Sequence, residues 1–204
     1  SDEIDAGNWF MILMEDNVAF GRSDPDSDPC GYRAVLTMRL AEMHYGIHGL
    51  AEGLLEKDKR HIRPKETDLI ALLESGTIDY IFLYRSVAEQ HGLDFIILPS
   101  EINLADLEMA GFYEKASVKI SGIKPGYWIV KKGAPMVYGV TIPLNAPHPE
   151  IARSFVEYLL AGDLGMAVMR ECGQPSVVPS YTDTYDALPE SLRQFALPER
   201  PEDQ

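Results

Sequence analysis

A chain of 204 residues, 46% hydrophobic and 25% charged, is long enough to bury the core of one large domain or two small ones. No apolar run in it reaches the roughly 18 residues that a bilayer-crossing helix needs. A formal net charge of −14 argues against nucleic acid and against an anionic lipid surface, both of which want a basic face, but a small anion stays allowed, because a local fan of N–H groups overrides distant charge.

Taken in chain order, residues 8–15 predict a short helix and Val18–Gly21 a strand that runs into the turn Arg22-Ser23-Asp24-Pro25-Asp26-Ser27-Asp28. Pro29–Tyr45 predicts a long helix. Asp28 suits its N-cap, Pro29 its first position and Gly46 its stop. Tyr32, Val35, Leu36, Arg39, Leu40 and Met43 fall at three and four spacing along it. A second helical stretch covers Ile47–Lys57, and the basic run Lys57–Lys65 reads as a solvated connection. Glu66–Glu74 predicts a helix closed by Gly76. Ile78–Tyr84 reads as a central strand, Ser86-Val87-Ala88-Glu89 as a capping box opening a helix that ends at Gly92, and Phe95–Leu98 as a further strand. Strands thus alternate with helices across residues 18–98, the pattern of a mixed α/β sheet whose ligands sit beyond strand ends at helix N-termini.

The second half predicts strands over Ala116–Ile120, Tyr127–Val130 and Met136–Ile142. A helix pair follows over Pro149–Ala161 and Asp163–Arg170, with Phe155, Leu159, Leu160, Met166 and Met169 facing inward. From Pro179 the chain is turn-rich, then helical near 189–195, and Pro198–Gln204 reads as a loose polar tail.

Three helix N-termini are candidate anion donors: Cys30-Gly31, Thr67-Asp68 and Ser86-Val87. Two of them carry a carboxylate, Asp28 and Glu66, and the first follows a turn with three acids. Carboxylates repel an ordinary anion, so this chemistry calls for an anion with an electrophilic centre, or for no anion at all. The local alternatives are an N-cap for Asp28, a first-turn acid for Glu66 and turn formers for Asp24 and Asp26. Tyr84, at a strand end, fits either the core or a ligand hydroxyl. Cys30 at a helix start is a candidate nucleophile with a histidine base among His44, His48, His61 and His91, but the neighbouring aspartates would raise its pKa. Cys30 and Cys172 lack the spacing of a zinc site. The opening Ser1-Asp2-Glu3 has no signal-peptide pattern and reads as the start of a fragment, which leaves the compartment open.

Several segments, in order along nearly the whole chain, resemble one family. They are Ser23-Asp24-Pro25 through Asp28-Pro29-Cys30-Gly31-Tyr32-Arg33, then Leu72-Leu73-Glu74-Ser75-Gly76-Thr77-Ile78-Asp79-Tyr80, then Tyr84-Arg85-Ser86-Val87-Ala88-Glu89-Gln90-His91-Gly92-Leu93. Leu98-Pro99 with Glu101-Ile102-Asn103-Leu104, Tyr138-Gly139-Val140-Thr141-Ile142-Pro143 and Gly173-Gln174-Pro175 complete the set. Together they are similar to the solute-binding proteins of archaeal-type tungstate and molybdate ABC importers. The resemblance implies an α/β fold of the periplasmic-binding type II class, a mixed sheet flanked by helices, with the oxyanion in a cleft between two lobes. Residues 1–135 would be the second lobe, and 136–204 the crossover return and C-terminal helical segment of the first, whose N-terminal part is missing. The segment between Leu50 and Glu66 is short for the archaeal type.

Carried onto this chain, the family pattern puts backbone donors at Cys30, Gly31 and Thr67 and a ring hydroxyl at Tyr84. Two carboxylates, Asp28 and Glu66 (or Asp68 if the register slips), would bind the tungsten or molybdenum centre itself. The implied protein is not an enzyme and has no cofactor. Its ligand is tungstate or molybdate and its partner an ABC permease, with no nucleic acid and no membrane insertion by this chain. The implied location is periplasmic or extracellular, with a membrane anchor in the full-length protein. The rivals are a ligand-sensing regulatory domain of the same fold and a cysteine-dependent enzyme using Cys30.

Overall fold

The computed structural model describes residues 4–198, and its contacts divide into two units. The first runs to Ala88 and resumes over Asp94–Val137; the second takes Glu89–Leu93 and the chain from Tyr138 on.

The first unit is a mixed α/β arrangement around a three-stranded parallel sheet. Strand β1 (Phe20–Ser23) lies in the middle, between β2 (Ile62–Arg63) and β3 (Tyr80–Ile81). All of β1 is buried although its sequence, Phe-Gly-Arg-Ser, is half polar. Gly21 permits this packing: a Cβ there would lie 2.8 Å from the His61 carbonyl oxygen. Two expectations change. The sheet's centre is β1, not the Ile78–Tyr84 run, of which only two residues pair, at an edge. The other edge comes from the basic segment 57–65, which is not a solvated connection. It holds a 3-10 helix, Asp58–His61, and then β2. What ties it down is Asp58, fully buried against Arg22 with Oδ2 2.6 Å from Nε.

The helices follow local chemistry closely. After α1 (Trp9–Met14), α2 spans Pro29–Tyr45 as predicted, capped by Asp28 and ended by Gly46 in the left-handed region at φ 65°. Helix α3 (Leu50–Lys57) begins later than expected, after Gly49 at φ 82°. Helix α4 is Glu66–Glu74, as predicted. Helix α5 (Arg85–Gln90) takes in Ser86 instead of using it as a cap; the Tyr84 carbonyl accepts the Val87 and Ala88 N–H groups and fills that position. Trp9, Phe10 and Leu13 of α1, Val35, Leu36, Met38 and Leu40 of α2 and Leu50 and Leu54 of α3 form one core with Phe20. Trp9 also meets Phe82 edge-on, with centroids 5.9 Å apart. That contact anchors the segment leading from β3 to Tyr84.

Phe95–Leu98 forms no strand. Its alternation is real, since Ile96 and Leu98 pack on the core while Phe95 and Ile97 are exposed, but it lies against no ladder partner. Met136–Ile142 forms none either; Met136 packs on the core and donates its N–H to the Leu104 carbonyl, and Val137 and Tyr138 are exposed. A single turn, α6 (Ala110–Tyr113), leads into the antiparallel pair β4 (Ser117–Ser121) and β5 (Trp128–Lys132), close to the predicted pair.

In the second unit α7 (Pro149–Leu160) and α8 (Gly165–Glu171) form the expected helix pair, and β6 (Ser180–Tyr181) pairs in parallel with β7 (Ala196–Leu197) after a 3-10 helix at Glu190–Phe195. Val156 and Met166 are buried, but Phe155 is 60% exposed and not inward. It belongs to a stripe with Ile151 and Tyr158, also exposed, at the i, i+4, i+7 spacing of one helix face. The expected loose tail lies, beyond Pro198, outside the described residues.

Candidate functional site

Parallel pairing brings the C-terminal ends of β1, β2 and β3 to one edge of the sheet, and each strand is followed there by a helix start: α2, α4 and α5. In open α/β sheets this edge is where ligands bind. The turn after β1 is built by its own acids. The Asp24 carboxylate accepts from the Asp26 N–H and the Ser27 hydroxyl. Asp26 reaches across to Ser121, accepting from both its N–H and its hydroxyl. Those two charges are thereby committed to holding the turn and β4.

Asp28 links two helices. Its Oδ1 accepts from the Cys30 N–H at 3.0 Å, and its Oδ2 accepts from the Glu66 N–H at 2.8 Å. One carboxylate therefore caps α2 and α4 together, and the dipoles of both helix starts favour its charge. Asp28→Ala is expected to lose about 1–2 kcal/mol of stability, read by urea unfolding, with Asp28→Asn retaining part of it through the one remaining carbonyl oxygen.

Glu66 heads α4, and Asp28 is close enough to affect its ionisation. Burial first, and then the Asp28 carboxylate, raise the Glu66 pKa; the Cys30 thiol and the Arg33 guanidinium oppose the rise. Among the described residues Glu66 Oε2 is buried with no hydrogen-bond partner, and so is Ser23 Oγ at the end of β1. A buried polar atom without a partner costs about 1–3 kcal/mol. A second anion's oxygen cannot relieve a carboxylate oxygen, but an electron-poor centre can.

Cys30 is buried, with its thiol directed at the Phe82 carbonyl oxygen, 3.7 Å away. Burial, then the Glu66 carboxylate, push the thiol well above its ordinary pKa, which is the reverse of what a nucleophile needs. A thiol-reactive probe at neutral pH is expected to label the half-buried Cys172 and to spare Cys30. The nearby Gly31 is a packing residue. A Cβ on it would sit 2.4 Å from the Ser23 carbonyl oxygen, and its N–H donates to the Asp28 carbonyl. Gly31→Ala is expected to cost about 1–3 kcal/mol through this overlap, read as a lower midpoint of denaturant unfolding.

Tyr84, half-buried, faces the same group: burial raises its pKa, while Arg33, whose Nη1 donates to the Tyr84 hydroxyl oxygen, opposes the rise. The structure thus brings Asp28, Cys30, Glu66 and Tyr84 together, with the Cys30 N–H engaged by Asp28. Thr67 is exposed in the first turn of α4, where the helix supplies its N–H no acceptor. Asp68 turns back to accept from the Lys65 N–H at 3.1 Å, which leaves Glu66 as the acid of α4 at the cluster. Sequence reasoning missed Ser23 and Arg33 as site residues. The signal for Arg33 was its place three residues after Cys30, on the same face of α2.

A family pattern described as a bacterial extracellular solute-binding protein matches residues 2–173. The chain belongs to this family. Membership of a solute-binding family makes it a binding protein and not an enzyme, in accord with the inert setting of Cys30. An uncharacterized solute-binding protein of Petrotoga mobilis is 45% identical over 195 residues, covering 95% of this chain and 60% of the relative. The molybdate/tungstate-binding protein WtpA of Pyrococcus abyssi is 42% identical, covering 91% of this chain and 58% of that protein. WtpA of Thermococcus kodakarensis is 40% identical, covering 91% and 56%. The chain therefore spans about three fifths of the length of these relatives. Among the described residues no helix is long and apolar enough to cross a membrane.

Proposed function

We propose that this solute-binding chain takes a tungstate or molybdate ion at the edge of its three-stranded sheet, as the extracytoplasmic binding component of an ABC importer. The observation that carries the reading is the meeting of Asp28 and Glu66 at the starts of α2 and α4, with Glu66 Oε2 buried and unpartnered. Such a cluster is hostile to a simple anion and suited to one whose central atom accepts oxygen ligands. Hexavalent tungsten and molybdenum are hard, electron-poor centres. Carboxylate oxygens from Asp28 and Glu66 would expand them from tetrahedral towards octahedral coordination. Free N–H groups, with Thr67 the candidate on α4, and the Tyr84 hydroxyl would balance the charge on the oxo groups. The names of the two WtpA relatives support this choice of ion.

In this reading the architecture is the two-lobed type II periplasmic-binding fold. Residues 1–135 belong to the second lobe and 136–204 to the return into the first, close to the division of contacts between Val137 and Tyr138. A membrane permease receives the ion, and the full-length protein is anchored outside the cytoplasm. Lobe closure would bury the ion, as in other hinge-type binding proteins. Calorimetric titration with tungstate, molybdate and sulfate tests the reading. Saturable heat with the first two is expected; a folded protein silent to both would reject it.

A further inference from the structure

Arg33 stands on α2 one turn beyond Cys30, and its guanidinium lies between two tyrosine rings. Its Cζ is 5.5 Å from the Tyr32 centroid and 5.6 Å from that of Tyr84, within cation–π range of both. From there Nη1 donates to the Tyr84 hydroxyl oxygen, which takes no other hydrogen bond among the described residues. The consequence is chemical. A phenol has one proton to give and lone pairs to receive with, whereas a guanidinium only gives. Arg33 can never accept the Tyr84 proton, so its bond occupies a lone pair and leaves the O–H free for a third group. Around Tyr84 that third group has to be an acceptor.

We propose that Arg33 is a positioning residue for anion binding: it fixes the Tyr84 hydroxyl as a donor and aims its proton at the ligand's oxygen. This rests on the oxyanion reading above. It also explains how a site with two carboxylates tolerates an anion. Without Arg33 the Tyr84 hydroxyl is free to rotate and can present a lone pair to the ligand's oxo groups. Arg33 also places a positive charge near Glu66 and Tyr84, where it acts on both.

The test is a double-mutant cycle on tungstate affinity, read by calorimetry on the protein and on Arg33→Met, Tyr84→Phe and the double variant, with Arg33→Lys as a conservative control. Each single change is expected to weaken tungstate about tenfold, the loss of one hydrogen bond to an anion. The double variant should lose little more than the worse single, because both remove the same bond. Arg33→Lys should recover part of the loss, as it keeps a donor and a charge but not the planar fork. Additive losses, or Arg33→Met with unchanged affinity in a protein that binds tungstate, would overturn the positioning role alone. A parent protein that gives no tungstate heat would overturn the oxyanion reading and the positioning role with it.

Discussion

Replacing Arg22 by alanine is expected to destabilise the protein by about 3–5 kcal/mol at neutral pH. Asp58 is fully buried, its Oδ2 paired to Arg22 Nε and its Oδ1 without any partner among the described residues. Removing the guanidinium leaves a buried carboxylate without its paired cation, with only the weaker influence of Lys59 remaining. It also frees the 3-10 turn that carries β2, and with it the approach to Glu66. The penalty should depend on pH with a definite sign. Burial pushes the Asp58 carboxyl up to about 6, with Arg22 holding it below a still larger rise. A carboxyl whose folded pKa exceeds its unfolded value holds its proton more tightly in the folded chain. That contribution is fully present below the unfolded pKa, near 3.8, and is lost as pH rises through about 6. In Arg22→Ala the folded pKa climbs further, so the deficit against the parent should shrink as the solution is acidified from pH 7 towards 4. Urea unfolding at a series of pH values reads this directly. A deficit that is constant with pH would show that the loss comes from packing of the arginine stem and not from the stranded charge.

The second large effect concerns selectivity. The double change Asp28→Ala with Glu66→Ala is expected to weaken tungstate by more than about a hundredfold, since loss of groups that merely orient a metal's ligands already costs about tenfold to a hundredfold. Sulfate should respond differently. Its sulfur does not expand its coordination, so the carboxylates offer it only repulsion, and the double change should weaken sulfate far less than tungstate. The two ions thus separate a direct ligand from a structural support. Asp28 also caps two helices, so its removal alone would weaken both ions by loosening the site. Glu66→Gln resolves this: it preserves shape and the backbone N–H that Asp28 accepts, and removes the charge. Tungstate should fall steeply in that variant and sulfate should not. Equal losses for the two ions would reject coordination by the carboxylates.

What could be read in the sequence was what is local. Helices α2 and α4 have their starts and stops written in adjacent residues: Asp28 and Pro29 before one, Gly46 and Gly76 after the two. Their ranges match expectation. Strands of two to four residues carry no such punctuation. Whether Ile78–Tyr84 is central or peripheral depends on where another segment lands, and the segment that takes the opposite edge, Ile62–Arg63, is basic and short. Its placement rests on Arg22 and Asp58, thirty-six residues apart, a pairing that no periodicity reveals. The site follows the same division. Asp28, Glu66 and Tyr84 stand at element boundaries and were legible there. The Asp26 bridge to Ser121 spans ninety-five residues, and Arg33 acts through a tyrosine fifty-one residues away. Gly31 illustrates a different limit. Its position next to Cys30 suggested an anion donor, but the structure uses its missing side chain, because the helix start lies against the Ser23 and Asp24 backbone.

The exposed stripe of α7 raises a separate point about the second unit. Ile151, Phe155 and Tyr158 form an apolar face that nothing in the described chain covers within that unit. The inward orientation expected for Phe155 follows from helical spacing alone, and spacing cannot say which of two apolar sides will find a partner.

In the proposed function both acidic side chains, Asp28 and Glu66, bind the metal of the oxyanion. X-ray absorption at the tungsten edge, on the protein loaded with tungstate, measures this most directly. A distorted octahedral oxygen shell is expected in the parent protein, reverting to a tetrahedral one in Glu66→Gln with Asp28→Ala. A tetrahedral shell in the parent, identical to that of free tungstate, would contradict this coordination.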